Sequence, residues 1–249
     1  MAEFVRGETT IHYTDSGPKN GVPVLLIAPG GMRSAIPMWS GKPWDPTRDL
    51  DGYRVIAMDQ RNAGESFAPI TKDDGWHCYT ADQLALMDYL GAERFHVVGM
   101  CIGGPYVMGL IRAAPDRVLS AVMFQPIGLH NNREVFLQLF DDWAREIQDE
   151  HPEADQEAWR AFRQAMFGGT YMFNASEEDI SACDTPMLLF MGDDIYHPQA
   201  VSRDIASRAR NLTFVEHWKA PEHHDSTHGE IVRFLSKHDP SPGSDVDRP

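Results

Sequence analysis

The sequence predicts an α/β fold: a mostly parallel central sheet flanked by helices, with a helical cap insertion late in the chain. Two observations carry that expectation. Apolar runs of strand length recur along the chain, and segments with helical patterning lie between them. Continuous apolar runs suit strands covered on both faces, and strand–helix alternation builds parallel sheets. A third observation, an aromatic-rich helical stretch over residues 129–182, breaks the alternation.

The first apolar run is VPVLLIAPG (residues 22–30), which ends in glycines, and YRVIAMD (53–59) follows and ends in a loop. The helix TADQLALMDYLG directs Leu84, Met87 and Leu90 toward one face before Gly91 stops it. FHVVGM (95–100) then runs straight into Cys101, and the helix that begins GGPYVMGL ends before Pro115. VLSAVMFQP (118–126) leads to the insertion, where NREVFLQLFDDWAREIQ and DQEAWRAFRQAMFGG are amphipathic. TPMLLFMGDD (185–194) and LTFVEHW (212–218) supply the last strands, followed by PQAVSRDIASRAR and STHGEIVRFLSKH, with Ser226 as N-cap. The core is thus expected over residues 1–128 and 183–238, the cap over 129–182 and a disordered polar tail over 239–249. An insertion after a strand sits over the strand ends, where α/β proteins bind ligands.

Composition narrows the function classes. A chain of 249 residues with 42% hydrophobic and 24% charged residues suits one large domain. Its formal net charge of -15 opposes nucleic-acid and anionic membrane partners. A small-molecule substrate is expected, and a homo-oligomer is left open. The odd set Cys78, Cys101 and Cys183 has no metal-type spacing, which argues against a disulfide framework and against a zinc site. No apolar signal core or membrane-length run is present, so a cytoplasmic, reducing compartment is the default. No metal or organic cofactor is implied.

Free cysteines are most often small buried hydrophobes, and that role is assigned to Cys78 and Cys183. At Cys101 the surroundings argue otherwise. Gly99-Met100-Cys101-Ile102-Gly103 matches G-x-S-x-G with Cys in place of Ser, between a strand and a helix. A strained strand-to-helix turn leaves room only for small residues two before and two after its centre. The helix N-terminus that follows favours negative charge, which would stabilise a thiolate.

Over nearly its whole length, up to about His238, the chain resembles the α/β-hydrolase fold family. YRVIAMDQRNAGES is similar to the family's D-x-R-G-x-G-x-S stretch, with Asn62 in place of the first glycine. The Cys-centred elbow resembles that of dienelactone hydrolases, which use a Cys, Asp and His triad. The rest looks more like the lipase and esterase-like branch with a cap. The family's chain order is nucleophile, acid, histidine. By that resemblance Cys101 is the nucleophile and Asp194 the acid, with Asp193 as its alternative. His223 or His224, in the loop after the last strand, is the base. The oxyanion hole is assigned to the N–H groups of Ile102 and Gly31, with Gly30 and Met32 as register alternatives.

Such a site implies a cysteine-dependent acyl hydrolase acting on a small ester, lactone or thioester through a thioester acyl-enzyme. The alternatives are an acyltransferase using the same elbow, or a non-catalytic ligand-binding relative. A haloalkane dehalogenase is disfavoured because it needs Asp at the elbow. Trp39, Trp44, Phe67, Trp76, Phe136, Phe140, Trp143 and Phe167 could line an apolar pocket, though aromatics at helical spacing more often form core.

Overall fold

Strand β1 (Ala2–Arg6) and strand β2 (Thr9–Ser16) form an antiparallel hairpin at one edge of an eight-stranded sheet. In the computed structural model, which describes residues 1–42, 44–47 and 49–240, the remaining strands coincide with the six apolar runs. They are β3 (Pro23–Ile27), β4 (Arg54–Met58), β5 (Phe95–Met100), β6 (Val118–Phe124), β7 (Met187–Phe190) and β8 (Leu212–Val215). The order across the sheet is β1-β2-β4-β3-β5-β6-β7-β8, and every pairing from β4 to β8 is parallel. Every residue of β5 and β6 is buried, as their unbroken apolar runs require. The sequence expectations contain no counterpart of the β1–β2 hairpin: β1 is short and exposed at the sheet edge, and β2 buries only Ile11 and Tyr13, so neither reads as a continuous apolar run.

Helices cover the sheet: α1 (Trp76–Tyr89), α2 (Gly103–Ala113), α3 (Arg133–Ile147), α4 (Gln156–Phe167), α5 (Glu177–Ala182), α6 (Gln199–Arg208) and α7 (His224–Lys237). In α1 the fully buried apolar side chains are Tyr79, Leu86 and Met87, whereas Leu84 and Leu90 flank that face. Helix α7 starts two residues earlier than its expected N-cap: Ser226 lies inside it, and its hydroxyl donates to the His223 carbonyl. Asp239 accepts hydrogen bonds from Tyr53 and His96, and residues 241–249 lie outside the described residues.

Between β6 and β7, helices α3 and α4 pack on each other through their aromatics. Phe140 meets Trp143 and Phe162 edge-to-face, with ring centroids 5.3 and 5.4 Å apart. Trp143 donates its indole N–H to the Asn62 carbonyl, which ties this layer to the loop after β4. Asn62, which stands where the resembled pattern has glycine, has φ 57°. Asn tolerates that left-handed backbone, and its side-chain oxygen accepts the Ala68 N–H at 2.7 Å. The aromatics considered as pocket lining are buried core, except Phe67, which is exposed.

Candidate active site

Parallel strands end at one edge of the sheet, and the loops leaving β3, β5, β6 and β7 meet there. Cys101 sits between β5 and α2 with φ 62°, a left-handed backbone that a residue bearing a Cβ rarely adopts. Three close approaches explain its neighbours. A Cβ at Gly99 would lie 2.6 Å from the Gly103 carbonyl oxygen, one at Gly103 would lie 2.9 Å from the Ile27 oxygen, and one at Gly104 would lie 2.4 Å from Pro126 Cβ. The turn is fastened by Cys101 N–H to the Phe124 carbonyl and by Ile127 N–H to the Cys101 carbonyl, at 3.0 and 3.1 Å.

The imidazole beside this thiol is that of His197. It comes from the loop after β7, the same loop that holds Asp194. His197 Nδ1–H donates to Asp194 Oδ2 at 2.8 Å, and Asp194 Oδ1 accepts the backbone N–H groups of Tyr196 and His197, both at 2.9 Å. This assignment leaves Nε2 with a free lone pair. Nε2 is buried with no hydrogen bond of full geometry, and the group it interacts with is the Cys101 thiol.

Titration of all three groups follows from these contacts. Burial alone would push the Cys101 thiol up; the His197 imidazole and the backbone N–H groups of Gly30 and Ile102 outweigh it and hold the thiol below its ordinary value. Burial would push His197 down, but Cys101 and Asp194 hold it above its ordinary value. For Asp194, burial would raise the carboxyl, and the contacts with His197 and two backbone N–H groups hold it low. A thiolate facing an imidazolium is the state these shifts favour.

The backbone N–H groups of Gly30, an alternative in the sequence reading, and of Ile102 reach the Cys101 thiol. The Gly30 loop is braced: Ser34 Oγ donates to the Ala28 carbonyl at 2.6 Å, and buried Asp59 accepts the Ile36 and Glu65 N–H groups. Gly31 underlies the cap, since a Cβ there would meet Leu139 of α3 at 2.7 Å. Beside that contact Arg33 and Glu146 form a bidentate ion pair at 2.6 and 2.7 Å. Arg33, Leu139, Glu146 and Tyr196 line one groove of about 810 Å³ between cap and core.

The other expected residues lie elsewhere. His224 Nε2 is 3.0 Å from the Lys219 carbonyl, and His223 stacks on His217 with ring centroids 6.2 Å apart. Asp193 pairs with Lys219. His197 is absent from the sequence expectations, which look for the base after the last strand. A signal does exist: Asp-Ile-Tyr-His spaces a carboxylate and an imidazole three apart in a loop, a separation one turn can close. Among the described residues no group of three His, Cys, Asp or Glu side chains could hold a metal ion, and no helix is long and apolar enough to cross a membrane.

Comparison with known proteins agrees with this architecture. The family model described as alpha/beta hydrolase fold matches residues 23–215. A non-heme chloroperoxidase of Streptomyces lividans is 35% identical over 123 residues, covering 48% of this chain and 42% of the relative; the chain thus spans about two fifths of that protein. The carboxylesterase YbfK of Bacillus subtilis is 25% identical over 220 residues, covering 76% of this chain and 70% of the relative. Among solved structures, the enol-lactonase from Burkholderia xenovorans LB400 superposes with a TM-score of 0.69 at 20% identity, covering 94% of this chain and 100% of that one.

Proposed function

The chain belongs to the α/β-hydrolase fold family, and from that premise we propose that it is a cysteine-dependent acyl hydrolase of the esterase or lactonase type. Cys101, His197 and Asp194 act as nucleophile, proton carrier and orienting acid. The observation that supports this most strongly is the convergence on one thiol of an imidazole held by a carboxylate and two backbone N–H groups. The names of the carboxylesterase and enol-lactonase relatives point to esters and lactones. The Cys-centred elbow favours the thioester route that its resemblance to dienelactone hydrolases implies.

The reaction follows from the geometry. The Cys101 thiolate attacks the acyl carbon and forms a C–S bond. The negative charge that develops on the carbonyl oxygen is met by the Gly30 and Ile102 N–H groups. As the tetrahedral species collapses, the C–O bond breaks and the His197 imidazolium gives its proton to the leaving alkoxide. Neutral His197 then takes a proton from water, whose oxygen attacks the thioester. The C–S bond breaks, the acid leaves, and the thiolate–imidazolium pair is restored. Asp194 keeps the ring in the tautomer that both steps need.

Intact-protein mass spectrometry with a panel of activated esters and thioesters tests the proposal. We expect an adduct that forms and decays in the wild type and is absent in Cys101→Ala. His197→Ala should slow turnover by about 100-fold or more, the usual scale for loss of a general acid–base group. The double variant His223→Ala/His224→Ala should stay near wild type. Turnover that survives Cys101→Ala rejects the nucleophile. Turnover lost in the double variant and kept in His197→Ala returns the base to the loop after β8. Acyl transfer to an added amine or alcohol in preference to water would make the protein an acyltransferase.

A further inference from the structure

Both partners of Cys101 ride on one short loop, so whatever fixes that loop fixes the relay. We propose that Asn132 is the positioning residue of the site: through the Ile195 carbonyl it sets the Asp194–His197 turn against Cys101. The inference rests on the Cys101–His197–Asp194 reading above.

Asn132 is the N-cap of α3, the position where an Asn side-chain oxygen ordinarily accepts an N–H of the first helical turn. Here it makes no such cap. Its amide instead donates to the Ile195 carbonyl at 2.7 Å and to the Gly128 carbonyl at 3.1 Å, while its oxygen accepts the His130 N–H at 2.8 Å. Both amide hydrogens are used, and the residue is only 6% exposed. The side chain has thus given up a local helix-capping bond for ties between segments. Ile195 lies inside the turn between Asp194 and His197, and its own side chain is exposed, so its carbonyl rather than its packing is what the turn offers. The loop is also fastened at its base, where Gly192 N–H donates to the buried Ser202 hydroxyl at 3.1 Å and Asp193 pairs with Lys219, and beside its tip, where the Tyr196 ring meets Phe136 edge-to-face at 6.0 Å. Asn132 ties the tip itself, through the carbonyl of Ile195. It also joins the start of α3 to the turn that carries the acid and the imidazole, so cap and relay share one hydrogen-bonded joint.

Two substitutions separate this role from simple stabilisation. In Asn132→Ser the hydroxyl is too short to reach Ile195, yet serine is a good N-cap for α3. In Asn132→Asp the carboxylate is isosteric and caps well but cannot donate to either carbonyl. The experiment follows the rate of iodoacetamide alkylation at Cys101 against pH by peptide mass spectrometry, alongside thermal unfolding, for wild type and both variants. The expected result is a wild-type inflection below the ordinary thiol range and a higher inflection in both variants, with the thermal midpoint kept in Asn132→Ser. Below the inflection, the alkylation rate should fall about tenfold for each pH unit by which the inflection rises. An unchanged inflection in the variants overturns the proposal and leaves the relay standing. A thermal midpoint that falls together with reactivity in Asn132→Ser also overturns it, because Asn132 would then act only as a structural tie. A wild-type inflection at the ordinary thiol value would reject the relay itself, and the role of Asn132 with it.

Discussion

At the scale of single residues, chemistry concentrates where the backbone is least relaxed. Cys101 adopts φ 62° because three glycines leave its turn free of crowding side chains and two hydrogen bonds hold it between β5, β6 and α2. The pH dependence of its reactivity follows from the directions of the two shifts. The lowered thiol keeps Cys101 a thiolate below its ordinary value of about 8.5, and the raised imidazole keeps His197 protonated above about 6.5. As pH falls through the Cys101 value the thiolate is lost; as it rises through the His197 value the imidazolium is lost. Hydrolysis of an activated ester should therefore follow a bell whose acid limb lies below the ordinary thiol value. His197→Ala should move the alkylation inflection of Cys101 upward by about one pH unit or more, as expected when a facing charge is removed. An inflection unmoved by His197→Ala would show that the helix N-terminus alone lowers the thiol.

At the scale of elements, the cap helix α3 touches both the Asp194–His197 turn and the glycine loop after β3. Its N-cap holds the Asp194–His197 turn through Asn132, its middle places Leu139 on Gly31, and its end places Glu146 on Arg33. The ion pair is largely exposed and screened by solvent, so it contributes little. Leu139 is the stronger contact. Leu139→Ala should destabilise the protein by roughly 2 kcal/mol, the lower end for such a truncation because the side chain is only partly buried. Denaturant unfolding measures that loss. The same variant should speed alkylation of Cys101 by a bulky maleimide more than by iodoacetamide. Equal acceleration of both reagents would show that Leu139 does not restrict entry beside Gly31.

At the scale of the whole molecule, the middle of the sheet and the end of the chain's core are joined through one buried histidine. His96 on β5 is fully buried; its Nδ1 lies 2.7 Å from Ser120 Oγ on β6 and its Nε2 lies 2.9 Å from Asp239 beyond α7. Burial disfavours its protonation more than Asp239 favours it, so its folded value is below the ordinary one. The unfolded chain then takes up the proton first. The contribution of His96 to stability is whole above about pH 6.5 and is lost as pH falls from there through the folded value, with a slope of at most about 1.4 kcal/mol per pH unit for one proton. Denaturant unfolding between about pH 7.5 and 5.5 should show a shallower decline in His96→Gln than in wild type. Parallel declines would mean that Asp239 keeps the pair charge-balanced on protonation.

What the sequence determined by itself is the frame and the centre of the site. The six apolar runs are the six parallel strands, and the five of them that lie inside the sheet are apolar because a strand buried on both faces must be, a demand that is local. The small residues around Cys101 mark the elbow for the same kind of reason: a crowded turn excludes side chains at fixed offsets. Asp194 was legible from its place after β7. Its partner was not, because four histidines crowd residues 217–228 and only packing shows which imidazole meets the thiol. Tertiary structure brings His197 to the thiol by closing a four-residue turn, Asp194 to His197, while His223 and His224 engage their own neighbours. It likewise brings the N–H of Gly30 to the thiol and places Gly31 under Leu139, in a loop whose register no local pattern fixes. Burial along a strand is written into the strand itself, whereas the meeting of two loops depends on every element that orients them.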